Sequence, residues 1–232
     1  MGDADYDQAK KPAGCCLMYP LEEKARDYFI PKIPKFLETY HLTLMTLLWC
    51  GLIILFGFLG KFNIIWLIGS CIVLALQWFT DILDGGLGRY RNSGFVKWGF
   101  YTDHFLDYVF MVSIILGFHF LFENVPGYSL FSMFIAGLTV IGFMINSFLF
   151  FGATRRFSIA AKGFGPSETR VTLILINILI IIFGKESVVF LLPYVAVIAV
   201  IALFVSFTLI QVNLWKEDMD LKNKPKKKKK LK

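Results

Sequence analysis

Long stretches without charge recur along the chain, each set off from the next by a short polar or basic segment. A bilayer core about 30 Å thick needs roughly 20 apolar helical residues to cross it. Six stretches of that order stand out, at 42–60, 62–80, 104–122, 128–152, 166–184 and 188–215, and the pattern predicts six membrane-spanning helices. The fifth is short in its purely apolar part, 171–184. Pro166 suits a first helical turn, however, and Ser167 and Glu168 favour a helix start, which gives a full-length span.

Residues 24–40, KARDYFIPKIPKFLETY, mix cations and aromatics with two prolines. This predicts a surface-lying helix broken near Pro31 and Pro34 and leading into the first span. The chain ends in KNKPKKKKKLK, a polybasic run suited to anionic headgroups. Lys229 and Lys230 fall where a dilysine retrieval signal stands in eukaryotic membrane proteins. The expected architecture is an all-α integral membrane protein: an N-terminal interfacial segment at 1–41, a six-transmembrane-helix bundle at 42–215, and a polybasic tail at 216–232. Neither an internal repeat nor a second folded domain is expected.

Composition agrees, with 56% of the 232 residues hydrophobic and a mean hydropathy of +0.63, outside the range of a soluble domain. Charge sets the orientation. All but Lys61 and Lys185 of the 24 Lys and Arg fall in the N-terminal segment, the loop after the second span, residues 155–170 or the tail. Basic residues concentrate in cytoplasmic loops, so both termini are expected in the cytoplasm. The net charge of +7 flanks the spans without any nucleic-acid module, and no nucleic-acid partner is expected. The first residues lack a signal-peptide pattern and the myristoylation pattern. Cys15 and Cys16 are candidates for palmitoylation or plain cytosolic thiols, Cys50 and Cys71 read as small hydrophobes within spans, and no zinc-ligand spacing occurs.

Against this background residues 81–107, DILDGGLGRYRNSGFVKWGFYTDHFLD, put four aspartates at the ends of the second and third spans. Asp81 and Asp84 are three apart, and Asp103 and Asp107 four apart, so each pair shares a helix face if its helix extends through it. Two facing pairs make one four-carboxylate site. Two carboxylates 4 Å apart repel by about 4 kcal/mol at an effective dielectric of 20, so such a site needs positive charge. Hard divalent cations with oxygen ligands supply it, and four carboxylates balance two Mg²⁺ or Mn²⁺ ions, an arrangement that serves displacement at phosphorus. Spacing leaves two other readings open: separate solvation or pairing with Arg89, Arg91 and Lys97, and an ion-coupled transport site. Gly85, Gly86, Gly88 and Gly99 leave little bulk where a ligand could approach the backbone, and Arg89 carries the planar fork that grips a diphosphate.

The stretch resembles the signature of the CDP-alcohol phosphotransferases, D-x-x-D-G-x-x-A-R followed after about eight residues by G-x-x-x-D-x-x-x-D. Asp81, Asp84, Gly85, Arg89, Gly99, Asp103 and Asp107 match in order. Gly88 stands where the family usually has Ala, and nine residues separate Arg89 from Gly99, the added one falling in YRNSGFVKW, which reads as a cytoplasmic turn. The resemblance implies an enzyme that moves a phosphoryl-alcohol group from a CDP-linked donor to a hydroxyl acceptor, at least one of them a lipid, releasing CMP in phospholipid synthesis. It implies two divalent cations, Mg²⁺ or Mn²⁺, on Asp81, Asp84, Asp103 and Asp107, with Asp107 as general base. It also implies CDP binding by Gly85, Arg89 and Gly99, a homodimer, and a site facing the cytoplasm from a bacterial inner membrane or the endoplasmic reticulum. Thr43 is a further candidate for the nucleotide wall, against its reading as a helix cap.

Residues 154–170, TRRFSIAAKGFGPSETR, form the other basic segment on that face. Arg155, Arg156, Lys162 and Arg170 read either as a cradle for an anionic acceptor or lipid phosphate or as membrane anchors, and Glu168 as part of the acceptor pocket. His104 reads as a hydrogen-bonding support beside the aspartates, His119 as a packing residue and His41 as interfacial. A short six-span chain resembles the phosphatidyl-transferring members, whereas the Asp103–His104 pair resembles the aminoalcohol-transferring ones. The competing readings are an inactive family member and a cation-coupled transporter, which places its carboxylates near the bilayer midplane.

Overall fold

Each apolar stretch forms one helix. The computed structural model describes residues 17–92, 96–154 and 165–223. It contains a short helix α1 (Tyr19–Phe29), followed by α2 (Thr39–Phe62), α3 (Leu67–Arg91), α4 (Val96–Phe122), α5 (Leu130–Thr154), α6 (Pro166–Phe183) and α7 (Lys185–Asn223). The six helices from α2 onward are long and apolar enough to cross a membrane, and no strand occurs among the described residues. The chain is an all-helical integral membrane protein.

Local chemistry sets the helix ends. Pro20 sits in the first turn of α1, which gives way to a 3-10 turn, Ile30–Lys32, at Pro31. The fifth span does begin at Pro166, where the Glu168 carboxylate accepts the Gly165 N–H at 2.8 Å and so supplies the missing cap. A single residue, Gly184, separates α6 from α7. Its φ of 85° is a conformation that side chains resist, and glycine adopts it freely.

Two expectations need correction at the aspartate-bearing end. The second and third spans do not stop at residue 80 and start at 104: α3 runs on to Arg91, and α4 begins at Val96. Charges end the apolar pattern there without ending the helix, because the backbone still satisfies its own hydrogen bonds. Tyr90, Arg91 and Val96 to Trp98 therefore belong to helices rather than to the expected turn, which opens at Asn92 in the left-handed conformation (φ 50°). Likewise α7 continues past 215 to Asn223. Cys15, Cys16, Lys162, Lys229 and Lys230 lie outside the described residues.

The bundle centres on α2. Trp49, Cys50 and Ile53 of α2 pack with Val73 and Leu74 of α3 and Phe110 and Ile114 of α4. Small residues let α2 and α4 approach closely, as is usual where lipid offers no hydrophobic drive between helices. A methyl on Gly57 would run into the backbone of Gly117, whereas one on Gly51 would meet nothing within 4 Å. Gly57→Ala is therefore expected to cost about 1–3 kcal/mol, read as a lower unfolding temperature in detergent, with Gly51→Ala unaffected as its control.

The end of the bundle opposite the aspartates holds a compact polar network. Lys61 pairs with Glu123, Lys185 donates to the Lys61 carbonyl at 2.9 Å, and His119 Nδ1 lies 2.8 Å from the Tyr128 hydroxyl. His119 is thus a polar partner and not merely a packing residue. The hydrogen bond from Lys61 holds the Glu123 carboxyl below its ordinary value of 4.5. A depressed folded-state value means that this tie contributes fully above the ordinary value and is lost as pH falls through the folded one. Glu123→Gln is expected to flatten the acid limb of unfolding temperature against pH, and an unchanged limb would show that the pair contributes nothing.

Candidate active site

Asp81 and Asp84 come from the last turns of α3, and Asp103 and Asp107 from the first turns of α4. Helical continuity through both segments turns all four toward one end of the bundle. Asp103 experiences the charges of Asp81, Asp107 and Asp84, opposed by that of Arg170. The four carboxylates therefore share one region of the bundle, without any three of them closing on a common point.

They are not equivalent. Asp84 is buried, and the Thr43 hydroxyl donates to its Oδ2 at 2.6 Å. Thr43 lies within α2, one turn beyond its start, so it does not cap the helix, and its buried hydroxyl is engaged by Asp84. Asp81, Asp103 and Asp107 retain partial exposure, with side chains 24%, 36% and 27% accessible. An incoming group can reach these three.

Arg170 enters the cluster from the second turn of α6. Its Nη2 lies 3.2 Å from Asp81 Oδ2 and 3.5 Å from Asp107 Oδ1, its Nε donates to Gln77 Oε1, and its side chain is 1% accessible. Arg170, a candidate for holding an anionic acceptor, is a buried counter-charge linking the two aspartate-bearing helices. Gln77, fully buried one turn before Asp81, was missed in the sequence. Its signal was a lone amide in an otherwise apolar run, which requires a partner in the bundle.

Glu168 is buried as well. One carboxylate oxygen accepts the Met18 N–H at 2.9 Å and the other accepts the Gly165 N–H, so backbone groups hold both oxygens. Arg155 and Arg156 lie outside the described residues. His104 Nδ1 lies 2.8 Å from the Phe100 carbonyl and 3.7 Å from Asp103 Oδ2. His41 Nδ1 accepts the Glu38 N–H at 2.9 Å and so closes the start of α2.

Gly85 and Gly99 face open space. A methyl on Gly99 would meet nothing within 4 Å, and one on Gly85 would meet only the Arg89 guanidinium, at 3.6 Å. Arg89 therefore folds back along α3 so that its fork and the bare Gly85 backbone border the same space. Gly86 differs: it is buried against Ile30 and the Arg26 stem, and its missing side chain makes room for the N-terminal segment.

Among the described residues no three His, Cys, Asp or Glu side chains are already gathered as a ready metal cage; Arg170 stands between two of the carboxylates. Its single charge offsets one of four. The remaining donor set is all carboxylate oxygen, the chemistry that Mg²⁺ and Mn²⁺ prefer, so the residues present fit such ions.

A bundle of six helices long and apolar enough to cross a membrane, with aspartates of two of them paired to one buried arginine, thus defines the class of protein. The family model described as CDP-alcohol phosphatidyltransferase matches residues 38–208, which include all six spans' cores and every aspartate of the cluster. The chain belongs to the CDP-alcohol phosphatidyltransferase family, a family of transferases. No curated protein and no solved structure matches it.

Proposed function

We propose that the protein transfers a phosphoryl-alcohol group from a CDP-linked donor to a hydroxyl acceptor, with release of CMP, in phospholipid synthesis. The observation that supports this reading is the family match over residues 38–208, in a chain whose Asp81 and Asp107, from two helices, meet at Arg170. The helices that carry these carboxylates run unbroken through them, whereas a transporter's ion site lies on interrupted ones. The uneven distribution of Lys and Arg supports a cytoplasm-facing site.

In this reading Asp81, Asp84, Asp103 and Asp107 hold two divalent cations, Mg²⁺ or Mn²⁺. When bound, these ions would supply positive charge that stabilises the donor's diphosphate as it is cleaved and the CMP phosphate as it leaves. Arg89 grips the diphosphate with its fork, while Gly85 and Gly99 let the CDP moiety approach the backbone. Asp107 takes the proton of the acceptor hydroxyl; that oxygen bonds to the phosphorus of the transferred group, and the phosphorus–oxygen bond to CMP breaks. Thr43 fixes the carboxylate of Asp84, and Arg170 holds those of Asp81 and Asp107. Arg155 and Arg156 supply charge for an anionic acceptor or lipid phosphate, and the protein acts as a homodimer.

Purified protein is to be incubated with labelled CDP-diacylglycerol, CDP-choline or CDP-ethanolamine across a panel of hydroxyl acceptors, including diacylglycerol. One donor and acceptor pair is expected to yield a labelled phospholipid. Absence of lipid product from every pair would contradict the assignment.

A further inference from the structure

The segment before the first span is fastened to both of the helices that carry Asp81, Asp84 and Arg170. On the α3 side the fastening combines apolar packing with hydrogen bonds from Arg91. Ile30 packs with Leu42, Ile82, Leu83 and Leu87, and Arg91 donates to the carbonyls of Leu37 at 2.6 Å, Ile33 at 2.9 Å and Pro34 at 3.0 Å.

On the α6 side the fastening is polar. Ser167 donates its hydroxyl to the Glu22 carboxylate, and Glu168 accepts the Met18 N–H. Glu22 is 3% accessible and Ser167 4%, although a charged side chain on a surface helix ordinarily stays in water. No α6 residue joins the apolar cluster around Ile30. The junction of α1 with α6 therefore depends on directional bonds, which fix position but hold little through burial. Ser167 lies one helical turn before Arg170, on the same stretch of α6.

We propose that Glu22 and Ser167 form a latch through which α1 sets the seating of Arg170 between Asp81 and Asp107, both acting as positioning residues for the transfer reaction. The proposal rests on the reading of the site given above. With the latch closed, α1 braces the start of α6 against the end of α3, and the Arg170 fork is held where it meets both carboxylates. With it open, the start of α6 keeps only the Glu168–Met18 bond to the beginning of α1, while the buried core between the spans is untouched.

The test uses the full chain in detergent with the donor and acceptor pair that gives lipid product, and CDP itself as the binding probe. Glu22→Ala and Ser167→Ala are each expected to lower kcat about tenfold, since small displacements at a reacting centre are costly, with the Kd for CDP and the unfolding temperature little changed. The double variant should be no slower than either single one, the sign of a shared interaction. Glu22→Gln, whose amide oxygen still accepts from Ser167, should keep most of the rate. Single variants as fast as a wild-type protein that itself releases CMP would overturn the latch, as would losses that add in the double variant or follow the unfolding temperature. A wild-type protein that releases no CMP would instead overturn the reading of the site.

Discussion

Asp107→Asn is expected to abolish turnover while the protein still folds and still binds CDP. The amide has almost the shape of the carboxylate but cannot take the acceptor proton, and it removes one negative charge from the cluster. General-base contributions of about 10²–10⁴ in rate set the minimum loss, and weakened cation binding adds to it. Steady-state rates, CDP titration and unfolding temperature, measured on one preparation, separate these effects. Near-normal turnover by Asp107→Asn would show that another group takes the proton. His104, whose Nδ1 lies 3.7 Å from Asp103 Oδ2, would then be the first residue to examine.

Arg170→Ala carries the second large effect, on stability as well as rate. It strips the partner from Gln77 Oε1 and leaves Asp81 and Asp107 facing each other without the guanidinium between them. Removing one member of a buried pair costs about 3–5 kcal/mol. Both carboxylates are about a quarter open to solvent, which reduces the expectation to about 2–3 kcal/mol. The unfolding temperature should fall accordingly, and added Mg²⁺ should return part of the loss in Arg170→Ala by supplying the missing charge. Arg170→Lys keeps the charge without the fork and should lie between the two. Unchanged stability in Arg170→Ala would remove the counter-charge role.

Most of the membrane architecture was legible because apolar runs of bilayer length leave few alternatives to a spanning helix. What the pattern could not show was where helices continue once charge interrupts it. Asp81, Asp84 and Arg89 end the hydropathic signal of the second span, yet α3 proceeds through all three. That continuation carries the two aspartate pairs into one cluster rather than leaving them in a loop.

The candidate site was legible in its sequence-local part and opaque in its tertiary part. Spacing along one helix indicates which residues share a face, so Asp81 with Asp84 and Asp103 with Asp107 could be paired from the sequence. It says nothing of which side chain arrives from a third helix. Thr43 at Asp84, and Arg170 with Gln77 between Asp81 and Asp107, are contacts across 41 to 93 residues of chain. Both Thr43 and Arg170 are candidates legible in the sequence, but their pairing with Asp84 and with Asp81 and Asp107 is not. The glycines divide in the same way: Gly85 and Gly99 border open space as expected, whereas Gly86 accommodates Ile30, which no local pattern announces.

Release of CMP before and after removal of divalent cations tests the central claim most directly. Purified protein in detergent, given a CDP-linked donor and its hydroxyl acceptor, should release CMP with Mg²⁺ or Mn²⁺ present, stop when the ions are chelated, and resume when they are restored. No CMP release from any donor and acceptor pair, or release indifferent to chelation, would contradict the account.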